Sequence, residues 1–262
     1  RDGEIEDLTQ ATSKGVGLRV VAKQRLGFIY TSDFDPTGLA AFVDRALQLA
    51  QAAAPNPLNG LPERGALKGG GDVGPLFDSE VANLAPEWKI RVALEMEKAG
   101  KAFDSRVRTF DSVGAGESVG EVHLASSEGA SGSYEGTYAF LYAVPVASEG
   151  DQLQTSYWVD YKRFLKDLDS PQSVGEEAAR RAVRMLGAKK VKSQKVPVIF
   201  DPLMAASFIG SIAGAANGDA VHKKSSFLAQ LLGKSIAPAS VTVVDDGRLN
   251  KGLGTAPFDG EG

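Results

Sequence analysis

Between residues 106 and 161 the apolar residues fall mostly on alternate positions, and small residues interrupt the run. A period of two marks a strand with one face covered. VRTFDSVGAGESVGEVHLASSEG and QLQTSYWVDYKRF (152–164) carry it, and TYAFLYAVPVAS (137–148) between them is a continuous apolar run that reads as a buried strand. Leu153, Thr155, Tyr157, Val159 and Tyr161 share one side of the last segment. Strands separated by Gly/Ser turns predict an antiparallel sheet. Helix signals bracket it. Ala85-Pro86 opens a helix over about 86–103, with Glu87 at its positive end and Lys98 or Lys101 at its negative end. Ser170-Pro171 opens another over 171–187, with Glu176/Arg180 and Glu177/Arg181 at i, i+4 and Gly187 as C-cap.

The flanks carry further local signals. VGLRVVA (16–22) and RLGFIY (25–30) read as a hairpin around Lys23-Gln24. Asp35 is an N-cap and Pro36 the first position of a helix over about 37–53, with Leu39, Phe42, Val43, Ala46, Leu47 and Ala50 on one face. Residues 55–75 are rich in Pro and Gly without a period, and read as a loop or linker. Beyond the basic connector Lys189–Lys195, the sequence predicts a short buried strand at Val196–Phe200 and a helix of small residues at 202–216. A helix at Ser225–Leu232 ends at Gly233, and a strand at Val241–Val244 leads into an Asp245-Asp246-Gly247 turn. The fold class is α+β. An N-terminal domain with an antiparallel sheet and flanking helices is expected over 1–190: hairpin and helix 1–54, linker 55–84, helix–sheet–helix 85–190. A second α+β domain with a β-rich core is expected to begin at 195–262, apparently truncated.

Composition excludes some chemistry. The chain has 262 residues, 43% hydrophobic and 24% charged, an ordinary globular profile. Its net charge of −4 argues against direct nucleic-acid binding. There is no cysteine, hence no disulfide, thiolate metal site or Cys nucleophile. Only His123 and His222 are available as imidazole ligands. No apolar run approaches the ~20 residues of a membrane span, and RDGEIEDLTQ lacks a signal-peptide apolar region. The missing initiator Met and the abrupt end point to a fragment.

Local motifs are weak. Gly114-Ala-Gly-Glu-Ser-Val-Gly120 is one residue off the dinucleotide fingerprint and lies between strands, so it reads as a hairpin turn or bulge. Gly69-Gly70-Gly71 lacks the Lys-Ser/Thr of a phosphate loop and reads as linker. His123 reads as an ordinary strand residue. His222, Lys223, Lys224 and Ser225 could contact an anion or peptide beside the helix that Ser225 would cap. Asp245, Asp246, Asp259 and Glu261 read as turn carboxylates rather than a hard-cation site. Tyr134, Tyr138, Tyr142, Tyr157, Trp158 and Tyr161 read as core or cross-strand aromatics.

The order of features from residue 196 is more specific. A strand-Asp-Pro step, Gly218-Asp219, Lys224-Ser225-Ser226-Phe227-Leu228, Leu232-Gly233, VTVVDD (241–246) and PFDGEG (257–262) follow one another. Upstream come Gly15–Val20 and Gly27–Thr31. This arrangement resembles the TldD/PmbA family, also called modulator of DNA gyrase. The resemblance implies a metallopeptidase setting. TldD-type members carry an HExxxH zinc motif just before the Gly-Asp step. Alignment on Gly218-Asp219 puts Ile209 and Gly210 at its His-Glu and Gly214 at its second His. None of these can ligate zinc or move a proton. The chain therefore resembles the PmbA (TldE) branch, and the small residues around Gly210 and Gly214 suit close helix packing. The resemblance implies a cytoplasmic subunit without catalytic residues or a metal of its own, with zinc in a TldD-like partner and a peptide as substrate. A self-associating binding or scaffold protein of the gyrase-modulator type is the alternative.

Overall fold

The computed structural model describes residues 2–63 and 73–260. The Gly69–Gly71 linker reading, the middle of the 55–84 segment and the turn carboxylate Glu261 lie outside the described residues. The chain divides into two compact units. The first is Arg1–Ala188 with Gly247–Gly262, and the second is Lys189–Asp246.

The first unit begins with the hairpin β1 (Val16–Ala22) and β2 (Arg25–Thr31), paired from Val16↔Thr31 to Ala22↔Arg25. Lys23 and Gln24 both take left-handed backbone, φ 51° and 63°. That is the two-residue turn whose twist matches the strands. Neither is glycine, and the Gln24 carbonyl accepts from Asn56 N at 2.8 Å and Asn59 Nδ2 at 2.9 Å, which holds the turn. Helix α1 (Pro36–Ala52) follows, its Asp35 cap accepting from Thr37 N and Gly38 N. Arg25 donates to the Gln51 and Ala53 carbonyls and so covers the helix end.

A four-residue helix absent from the sequence reading, α2 (Ser79–Ala82), precedes α3 (Pro86–Phe103). Asp78 makes it possible by capping Glu80 N while its other oxygen accepts from Leu165 N, a partner 87 residues away. The sheet is built on two 19-residue strands, β3 (Val107–Ala125) and β4 (Ser131–Glu149). Two short strands, β5 (Gln152–Thr155) and β6 (Trp158–Lys162), share the other edge of β4. All pairings are antiparallel. Helix α4 (Pro171–Val183) packs beside α3 on one face. Phe110, Met96, Leu141, Val92 and Val174 are fully buried there, with Ala143, Ala178 and Ala179 between them and Trp158 alongside. Burying each large apolar side chain contributes about 1.5–3 kcal/mol.

Three readings of this unit are corrected. The Gly114–Gly120 stretch is no hairpin turn. It runs through the middle of β3, with Gly114 opposite Tyr142 and Gly116 opposite Phe140. A Cβ on Gly116 would stand 2.4 Å from the Phe140 ring. Those glycines give cross-strand rings somewhere to lie. The turn is instead at Ser126–Ala130, closed by Ser126 N to Ala130 O at 2.7 Å, with Gly129 at φ 84°. Second, the helix expected to reach 187 ends at Val183. Tighter i→i−3 bonds from Met185 and Leu186 carry the chain to Gly187, at φ 74°. Third, Arg180 bonds Glu177 rather than Glu176, which accepts from Gln172 instead, while the Glu177–Arg181 pair forms at 2.7 Å.

The second unit holds α5 (Pro202–Ala216), capped by Asp201, and α6 (Gly218–His222), capped by Asn217. No strand is assigned among its described residues. The strands expected at Val196–Phe200 and Val241–Val244 do not form. Both segments lack a neighbouring strand to satisfy their backbone, and Ile199 is 99% exposed. The β-rich core expected here is not formed by these residues alone. The helix expected at Ser225–Leu232 is a series of turns. Ser226 Oγ donates to Ala215 O and accepts from Leu228 N at 3.0 Å, which ties the segment back to α5.

Candidate functional site

In the second unit the residues that the sequence reading aligned with the zinc motif lie on α5. Ile209, Gly210 and Gly214 are all exposed, and a Cβ on either glycine would meet nothing within 4 Å. Close packing against another helix of this chain is therefore not what calls for glycine there, a correction to the sequence reading. One aliphatic side chain and two hydrogens offer no lone pair, so zinc does not fit these residues. His222 ends α6 and is exposed. Lys223 is paired with Asp219 at 2.9 Å, one turn back. Lys224 stands at φ 56°. Ser225 caps no helix and donates to Ala220 O at 3.2 Å. The helix N-terminus that was to complete an anion site is therefore missing. Among the described residues no three His, Asp or Glu side chains converge.

The first unit carries the built features. The face of the sheet turned away from α3 and α4 bears an aromatic row. Tyr138 stacks on Tyr161 at 5.1 Å, Phe140 lies 6.1 Å from Tyr161, and Phe140 lies 6.2 Å from Tyr142. These are the cross-strand pairs expected of alternating aromatics. Burial pushes the Tyr161 phenol upward, Tyr138 adds to this, and Arg163 opposes it.

Arg163 follows β6 and is buried. Its guanidinium lies 4.6 Å from the Tyr138 ring centroid. It donates to three backbone carbonyls, Gly252 at 2.8 Å, Leu253 at 3.0 Å and Thr255 at 2.7 Å. Tyr138 Oη donates to Leu253 O at 2.8 Å, and Lys251 pairs with Asp167 at 3.0 Å. Phe258 then meets the edge of Tyr134 at 5.3 Å over Gly132. Residues 249–258 are thus fastened along the open face. Nothing in the local sequence around Arg163 marks it, because its partners are 89–92 residues away.

Glu97 is the other missed residue. It is buried on α3, and its two oxygens accept from Asp2 N at 2.8 Å and Gly3 N at 3.3 Å. Lys101 bonds Glu97 at 2.6 Å and Asp2 at 2.7 Å. Burial alone would raise the Glu97 carboxyl. The Lys101 hydrogen bond and the two backbone N–H groups outweigh it and hold the group below its ordinary 4.5. Hydrogen bonds to Asp2 and then Glu97 raise Lys101. A carboxyl with a lowered folded pKa stabilises fully above its unfolded value and loses that contribution as pH falls through the folded value. Acidification through that lowered value is therefore expected to release residues 2–3 from α3. Amide exchange at Asp2 and Gly3 will show it, and Glu97→Gln will show the same release at neutral pH. Unchanged protection in that variant would rule the grip out.

β3 forms one border of its sheet. Its outer side has no strand partner among the described residues, and the same holds for the outer side of β1. Such edges are ready to pair with another extended chain.

Three successive family models match the chain. They are PmbA/TldA metallopeptidase domain 1 over residues 1–50, the central domain over 80–186 and the C-terminal domain over 193–262. The chain belongs to the PmbA/TldD family. Metalloprotease PmbA of Escherichia coli O157:H7 is 30% identical over 262 residues, all of this chain and 58% of that protein. A PmbA homologue of Haemophilus influenzae is 28% identical, covering 99% of this chain and 57% of that protein. A solved structure from Bacteroides thetaiotaomicron, described as a modulator of DNA gyrase, superposes with TM-score 0.84 at 29% identity, over 98% of this chain and 59% of that one. TldE of Thermococcus kodakarensis superposes with TM-score 0.71 at 22% identity over 87% of this chain and 51% of that one, which establishes shared fold. The chain spans under three fifths of the length of these PmbA/TldD relatives. No helix among its described residues is long and apolar enough to cross a membrane.

Proposed function

We propose that this protein is the non-catalytic, PmbA/TldE-type subunit of a cytoplasmic TldD/TldE metallopeptidase complex. The complex degrades unfolded peptides or processes modified-peptide precursors. One observation carries the reading. Aligned on Gly218-Asp219, Ile209, Gly210 and Gly214 fall at the His, Glu and second His of the TldD-type zinc motif, and their side chains offer no donor atom. Zinc then resides in a TldD-type partner, and this chain completes the chamber around the peptide. The metalloprotease names of its relatives and the TldE name of a structural neighbour support that setting. The gyrase-modulator description of another neighbour favours a second reading, a self-associating scaffold without peptidase activity.

Metal analysis and cleavage of an unfolded peptide separate the two. The full-length protein is assayed alone and mixed with a TldD-type subunit from the same organism. Zinc and chelator-sensitive cleavage are expected in the mixture only. Stoichiometric zinc in this protein alone would overturn the proposal. A mixture that neither associates nor cleaves would favour the scaffold.

A further inference from the structure

We propose that the clamp formed by Arg163 on residues 249–258 is a non-covalent joint that keeps the second unit attached to the first, and that the connector at Lys189–Lys195 can be cut without separating them. The second unit, Lys189–Asp246, is joined to the first at both of its ends, because Gly247–Gly262 belongs to the first unit again. The C-terminal family model spans 193–262, so residues 247–262 of that domain are lent to its neighbour. The two joins are built differently. Residues 187–200 are exposed throughout, and 188–201 form no helix, strand or turn. Lys189, Lys190, Lys192 and Lys195 repel one another and keep this segment extended in solvent. Such a connector ties the units only through its covalent bonds.

The second join is made by contacts. Residues 249–255 curl on themselves. Gly252 N donates to Leu249 O at 2.8 Å, Thr255 N to Gly252 O at 3.1 Å, and Thr255 Oγ1 to Leu249 O at 2.6 Å. The curl brings the carbonyls of Gly252, Leu253 and Thr255 to one guanidinium. A planar fork of donors holds several acceptors in one fixed geometry. Thr255 is 3% exposed, so water does not compete at that end of the curl. Tyr138 Oη adds its bond to Leu253 O, and Lys251 lies 4.7 Å from the Phe164 ring centroid beside its pair with Asp167. While the connector is whole these contacts are intramolecular. Once it is cut they must hold two fragments by themselves, without the effective concentration that the chain supplies.

The test uses the full-length protein with the recognition sequence of a site-specific protease inserted between Lys192 and Ser193. After cleavage the two fragments should co-elute in size-exclusion chromatography at about 10 μM. With the N-terminal fragment immobilised, the release of the C-terminal fragment is then timed. Arg163→Ala should release it about a hundredfold faster than the parent. Tyr138→Phe keeps the ring and loses one hydrogen bond, and should release it about fivefold faster. Lys251→Ala removes an exposed ion pair and should stay within about threefold of the parent. Circular dichroism before cleavage checks that each variant folds, and Tyr138→Phe decides the matter if Arg163→Ala does not. Parent fragments that separate on cleavage would overturn the proposal. So would fragments that stay together with the same release rate in the parent and in the folded clamp variants, because the second unit would then be held elsewhere.

Discussion

Arg163→Ala will lower the stability of the first unit by about 3 kcal/mol, with a melting temperature roughly 6–12 °C lower. The guanidinium is buried and satisfies the carbonyls of Gly252, Leu253 and Thr255 while lying on the Tyr138 ring. Hydrogen bonds from a charged donor contribute about 1.5–3 kcal/mol each in isolation, and water entering the vacated space offsets part of the loss. Arg163→Lys keeps the charge but not the fork, so it should recover less than half of the difference. The local signature should be as clear as the global one. Amides of residues 249–255 should exchange faster in the alanine variant well before the helices unfold. A urea midpoint equal to the parent's would refute the clamp.

Gly175→Ala should destabilise by about 2–3 kcal/mol, although alanine is the better helix former by about 1 kcal/mol. Gly175 lies within α4 where the helix crosses α3. A Cβ there would stand 2.2 Å from the Met96 carbonyl oxygen and 3.0 Å from Met96 Cα. The obstacle is backbone, so no side chain can swing away. The helices would have to separate, thinning the contacts among Val92, Met96, Leu141 and Val174. Gly210→Ala is the counter-experiment. It is also a helical glycine, but its Cβ would meet nothing within 4 Å. That change should stabilise α5 by about 0.5–1 kcal/mol, the ordinary propensity gain. Opposite signs for the same substitution would locate the effect in packing. Equal signs would refute it.

The two glycines also illustrate what the sequence conveys. Both sit in helices that the sequence reading found, because Pro36, Pro86, Pro171 and Pro202 each open their helix at its first turn. Proline presets the backbone angle, and the groups it affects lie within four residues. The Lys23-Gln24 hairpin was legible for the same reason. Which glycine faces a neighbouring backbone and which faces open space was not, since the neighbour is remote in sequence. The Gly114–Gly120 stretch looked like a turn because glycine usually marks one. Phe140 and Tyr142, across the sheet, turned it into strand.

The candidate sites divide in the same way. That Ile209, Gly210 and Gly214 carry no donor side chain could be read directly, because residue identity needs no geometry. The expected helix behind His222, Lys223, Lys224 and Ser225 failed, since Ser226 found a better partner in Ala215. Glu97 and Arg163 were invisible. The carbonyls that Arg163 holds and the two backbone amides that Glu97 accepts lie about 90 residues off, and only the Glu97–Lys101 pair is local.

By itself, then, the sequence determined the helices that open on proline, the Lys23-Gln24 hairpin and the lack of thiol chemistry. These depend on residue identity and on hydrogen bonds that close within a turn. Tertiary structure decided whether an apolar run becomes a strand. Val196–Phe200 and Val241–Val244 read as strands as clearly as β6 does, yet only β6 has β4 beside it. It also decided where buried charges are anchored and which sheet edges stay open. A strand's hydrogen bonds are all made to another segment, and no property of the strand alone states whether that segment arrives.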